Sequence, residues 1–154
     1  MSIKDLNKLV NALEINLENQ ALENQAISTS SVGWHIEHSL LTIGLIIDSL
    51  KKSNPDNYKW QFSLSKIIVF TTNKIPRGKA KAPKVVLPKE TITIEKLKDN
   101  FANTKAKINQ LNSLNTNNYF EHPFFGKLNL KATIKFLGIH TKHHLEIVND
   151  IVKG

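Results

Sequence analysis

The stretch GIHTKHHLEIVNDIV, residues 138–152, places three of the chain's six histidines within five positions: His140, His143 and His144. In a helix, residues four apart lie about 40° apart around the axis, one turn displaced. His140 and His144 therefore point the same way and can grip one ion. His143 lies about 100° from His144, toward a different face. Leu137, Ile147 and Ile151 share the His140–His144 side, which makes it an inward side. An inward pair at this spacing is the clamp of zinc metalloprotease helices. That motif has a Glu after its first His; here Thr141 stands there, which excludes a metalloprotease. The same spacing also arises as a surface accident or a hydrogen-bonded pair.

A useful metal site needs a third ligand from another element. SVGWHIEHSLL, residues 31–41, supplies His35 and His38. His38 shares its side with Trp34, Leu41 and Leu45 and can face inward. His35 stands nearer the helix start and is expected at the surface. His38, His140 and His144 would offer three neutral imidazoles from two helices, a set that suits Zn²⁺, Ni²⁺ or Fe²⁺ and leaves positions open for water or substrate. Glu37 is expected to be solvent-exposed in preference to orienting a histidine from behind, and Asp48 lies more than two turns beyond His38. In EHPFFGK, His122 is assigned to a tight turn with Pro123 and Gly126, with Phe124 or Phe125 plugging one end of the fold, in preference to approaching the site as an acid, base or substrate contact.

The elements that must carry these residues read as helices nearly throughout. Ile3, Leu6, Val10, Leu13 and Leu17 step by three or four, giving a short first helix. LENQALENQA follows as its frayed end or a polar connection. Ser30 or Ser31 caps a second helix that runs to about Lys52, with Ile36, Leu40, Ile43, Ile47 and Leu50 inward. Pro55 breaks it. A third helix spans about 57–73, with Phe62, Ile67, Val69 and Phe70 inward. A fourth covers 93–114, and Asn129 caps a fifth that runs to about Val152. Strand signals are confined to KVVLP and TITI. The economical architecture is all-α, an up-down four-helix bundle with a short extra N-terminal helix, as one domain over 1–154.

Composition narrows the function classes. The chain has 154 residues, enough for one proper core, and no cysteine, which excludes disulfides and thiolate metal sites. No apolar run reaches the roughly 18 residues of a membrane span, and the N-terminal stretch lacks a signal peptide's hydrophobic region. A cytoplasmic protein without a membrane partner is expected. The formal charge is +8, and residues 74–90 hold six basic residues and one acidic one. Arg77 is the lone arginine, and the segment has no aromatic residue, so it lacks both the forks of base readout and the rings of base stacking. A solvated linker held open by Pro76, Pro83 and Pro88 is preferred to a nucleic-acid site.

SSVGWHIEHSLL, followed far downstream by HPFFGKLNLKATIKFLGIHTKHHLEIV, resembles the DinB-like superfamily of four-helix metalloproteins. It is most similar to an uncharacterised subgroup with a His-Pro-x-Phe-Gly-x-Leu stretch before a final His-x-x-His-His helix. The family's early Ser, seven residues before a histidine of the second helix, matches Ser31 and His38. Its last-helix ligands fall on His140 and His144, and His143 matches the position that is not a ligand. The resemblance implies a metal-dependent enzyme: a transferase acting with a low-molecular-weight thiol, or a hydrolase, on a small-molecule substrate. The competing readings are a non-catalytic ligand- or metal-binding module and, behind it, a nucleic-acid-associated protein. The resemblance also implies a long crossover, for which 74–90 is the candidate, and a homodimer, to which Leu41, Leu45 and Ile46 could contribute. Three positions depart from the family: Ser30 in place of Trp, Ile147 in place of Gln and Thr133 in place of Trp. None is a matched ligand position.

Overall fold

The computed structural model describes residues 1–78, 83–88 and 91–154. Lys79, Lys81 and Lys89 of the basic segment lie outside the described residues. The protein is predominantly helical: α1 (Ile3–Glu14), α2 (Val32–Lys52), α3 (Leu64–Thr72), α4 (Ile94–Gln110) and α5 (Leu130–Lys153). Tyr119–His122 (β1) and Gly126–Asn129 (β2) form one antiparallel hairpin ahead of α5.

Side-chain caps set where the helices begin. Ser2 and Asp5 form a reciprocal capping box on α1, and Ser31, Ser63, Thr93 and Asn129 each accept a backbone N–H at the start of α2, α3, α4 and α5. Such caps satisfy amides that the first helical turn leaves without partners. Ser31 and Asn129 are the caps expected from sequence.

Packing corrects the expected division of labour between helices. α1 was expected to be the accessory element, yet Leu6, Val10 and Leu13 are fully buried, and α1 packs against both α4 and α5. α2 packs against the same two helices from the other side. Phe101, Ile108, Ile43, Ile47, Leu137 and Val148 fill the space between them. The accessory element is α3, nine residues long. Of its expected core residues only Val69 is buried; Phe70 is partly buried, while Phe62 and Ile67 are exposed.

The hairpin occupies the segment between α4 and α5, where no strand was expected from sequence. Asn118 donates to the carbonyls of Leu50 and Ser53, and Thr133 Oγ1 donates to Leu128 O, pinning the hairpin to the end of α2 and the start of α5. Gly126 turns it with φ +67°, where a Cβ would also collide with the Gln61 side chain. KVVLP forms a single 3₁₀ turn at Lys84–Val86 instead of a strand. The repeat segment folds back on α2, where Gly33 N donates to Gln20 O at 2.8 Å. Gly33 has no Cβ to obstruct that approach; one would sit 2.9 Å from the same oxygen.

Candidate metal centre

α2 and α5 lie side by side and bring His38, His140 and His144 together. One ring nitrogen from each lies within 4.8 Å of the others. His140 and His144 sit one turn apart on the inner side of α5, with ring centroids 4.6 Å apart. Across the interface, His38 Nε2 lies 3.3 Å from His140 Nε2.

The environment of each ring decides its protonation. His38 Nδ1 bonds the Val86 carbonyl at 2.9 Å. A carbonyl only accepts, so the proton sits on Nδ1 and Nε2 is bare. The Trp34 ring stacks on His38 at 4.9 Å and 10° and fixes its plane. Burial pushes all three imidazoles below the ordinary histidine pKa, His140 and His144 furthest, and the neighbouring rings add to the effect on those two. All three are neutral at pH 7, which is the ligand form.

The donor set fits a divalent ion. With Zn–N bonds of about 2.0–2.1 Å, a tetrahedron separates its ligand nitrogens by about 3.3–3.4 Å. The His38–His140 separation has that length. His140 Nδ1 is buried and has no hydrogen-bond partner among the described residues.

His35 is not where the sequence put it. It is only 4% exposed, and its Nδ1 lies 3.0 Å from His144 Nδ1. Its Nε2 lies 2.9 Å from Ser28 Oγ. One proton arrangement leaves His144 Nε2 bare: His144 Nδ1–H donates to His35 Nδ1, and His35 Nε2–H donates to Ser28. Hydrogen bonds of this kind orient histidines in known metal sites. Burial, with neighbouring charges assisting, pushes His35 down to about 4, so it too is neutral. No periodic signal could have found this chain. Ser28 lies in an irregular turn, and the Val86 support is a backbone carbonyl, which any residue supplies.

Other candidates separate cleanly. Glu37, expected to be exposed, is buried and ion-pairs with Lys96 at 2.9 Å. Asp48 pairs with Lys107, away from the histidines. His143 is half-buried and stands outside the three-histidine group. His122 belongs to the hairpin turn, as expected, yet it also stacks on Phe125 at 4.1 Å and faces the cleft above the group. That cleft has a volume of about 640 Å³, and His38, His140 and His144 are among its lining residues.

Residues 2–148 match the sequence profile of the DinB superfamily. No curated protein and no solved structure gives a significant match. The match spans nearly the whole chain, and a three-histidine group able to hold a metal lies within it, so this protein belongs to the DinB superfamily.

Proposed function

We propose that the protein binds one divalent metal ion through His38, His140 and His144, and that it is a metal-dependent enzyme acting on a small molecule. The observation that carries this reading is the approach of His38 Nε2 and His140 Nε2 to a tetrahedral ligand spacing beside a ligand-sized cleft. Three nitrogen ligands suit Zn²⁺, Ni²⁺ or Fe²⁺ and leave coordination positions for an incoming group. When bound, such an ion supplies a Lewis acid that lowers the pKa of a thiol or a water. The former suits a transferase using a low-molecular-weight thiol, the latter a hydrolase. The protein's own share is orientation and exclusion of water. Val86 O and Trp34 fix His38, His35 fixes His144, and Phe125 and Phe136 wall off the cleft. The alternative is a non-catalytic module using the same pocket.

We further read the ring of α1, α5, α2 and α4 as an up-down four-helix bundle. A cytoplasmic location accords with the lack, among the described residues, of a helix long and apolar enough to cross a membrane. A homodimer is proposed through the surface carrying Leu45; Ile46 is buried in the core and drops out of that face. The basic segment is read as a linker and not as a specific nucleic-acid site.

The test is elemental analysis of purified protein, with melting temperature measured with and without chelator. One equivalent of metal is expected, lost in His38→Ala, His140→Ala and His144→Ala together with the stabilisation that binding confers. His143→Ala should keep both. A wild-type protein that takes up no metal, or a His140→Ala protein that retains it, refutes the reading.

A further inference from the structure

Three features of the cleft indicate what it takes. Its walls are apolar, with Trp34, Val69 and Phe136 among them, and three of its lining residues are apolar side chains exposed to solvent: Leu45, Val85 and Phe124. Single exposed apolar residues are ordinary, but three gathered around one opening form the kind of patch that marks a binding site. Second, no Lys or Arg is among the described lining residues, although the chain carries a net charge of +8. A phosphate or sulfate would meet no fixed cationic side chain among these described residues. Third, the lining has one carboxylate, Glu121, and a Ser65 hydroxyl already bonded to Phe124 O, while two other polar side chains are placed to bond a ligand. Thr42 Oγ1, one turn along α2 from His38, is buried with no partner among the described residues. His122 Nδ1 accepts from Phe124 N–H, so the neutral ring carries its proton on Nε2. Apolar walls with a few placed polar groups, at this volume, are the composition of a small-molecule site.

We propose that the cleft takes a ligand with an uncharged, largely apolar body and one polar, metal-binding head, in preference to a phosphorylated or otherwise anionic body. Phe124 and Val85 cover that body from the rim. The head depends on the metal reading given above; the body depends on the cleft alone.

Three hydroxamates share one metal-binding head and differ in body: benzohydroxamate, acetohydroxamate and phosphonoacetohydroxamate. Calorimetric titration of zinc-loaded protein should give benzohydroxamate at least about tenfold tighter than acetohydroxamate, from burial of its ring. Phosphonoacetohydroxamate should bind no tighter than acetohydroxamate. In a Phe124→Ser, Val85→Ser double variant the benzohydroxamate advantage should shrink to about threefold or less, with acetohydroxamate unchanged. Both side chains are exposed, so the fold should tolerate their loss. Equal affinity for the phenyl and methyl bodies, tightest binding of the phosphonate, or an undiminished preference in the variant overturns the proposal. If zinc does not bind at all, the metal reading fails separately. The cleft is then judged by NMR on metal-free protein: benzohydroxamate must shift the Trp34 indole signal more than acetohydroxamate does, and equal or absent shifts overturn it.

Discussion

The space between the helices has two different zones. Around Phe101, Ile108, Ile43 and Ile47 it is apolar and fully buried. Around His38, His140 and His144 it is largely buried too, but built from imidazoles, a bare ring nitrogen and the Thr42 hydroxyl, which has no partner among the described residues. Burying polar groups without partners costs free energy, and burying apolar surface returns it. The first zone holds the helices together. The second is tolerated by that stability and is left ready for something to bind. The same α2 serves both, since its inward side carries His38 near one end and Ile47 and Leu50 near the other.

The sharpest way to break this contrast is to remove mass from the apolar zone. Phe101→Ala should cost about 3–5 kcal/mol of stability, because the ring is fully buried and its cavity cannot collapse completely. Chemical denaturation measures it. The remaining folded protein should keep its full metal equivalent. A variant that lost metal in proportion to stability would mean that the two zones are not separable.

Lowering the pH of chelator-treated protein should act chiefly through the buried histidines. In the unfolded chain a histidine titrates near 6.5; folded His35 titrates at about 4. Between those values the unfolded state takes up a proton that the folded state refuses, so stability present above pH 6.5 falls as pH drops toward 4. His35 alone contributes a loss of about 3 kcal/mol across that window. Denaturation curves at pH 7 and pH 4.5 read it, and the Phe101→Ala penalty should be similar at both. Stability that is flat across the window would mean that these rings are solvated.

The smallest effect tests the support around the site. His35→Ala removes the partner of His144 Nδ1 but none of the three proposed ligands. Metal affinity should fall about 10–100-fold, the usual consequence of losing such a support, while one equivalent still binds at saturation. Competition with a chelator of known affinity gives the number. An unchanged affinity would show that packing alone orients His144, whereas His38 has both the Val86 carbonyl and Trp34.

Periodicity carried far in this chain. The starts of α2 and α5 were legible from Ser31 and Asn129, because capping is a local bargain between one side chain and the next turn's amides. The grouping of His140 with His144, and the exclusion of His143, followed from helix geometry alone. The resemblance of Ser31, His38 and the last-helix histidines to the DinB-like pattern agreed with that geometry, and membership of the superfamily is shown by the match over residues 2–148. Exposure was less legible. Phe62 and Ile67 look like core residues by type and spacing, yet burial depends on whether another element arrives, and none covers this side of α3 among the described residues.

What the sequence by itself determined, then, was everything that depends on near neighbours along the chain: which stretches are helical, where they start, and which residues share a face. Tertiary structure alone decided which faces meet. It turned α1 into a core helix and α3 into an accessory one, and it folded residues 119–129 into a hairpin over the cleft. It brought Ser28 and His35 behind His144, and Val86 O behind His38, across sequence separations of 109 and 48 residues for the two contacts to the proposed ligands. No local signal encodes such pairs, because a hydrogen bond between distant residues leaves no periodicity in either segment.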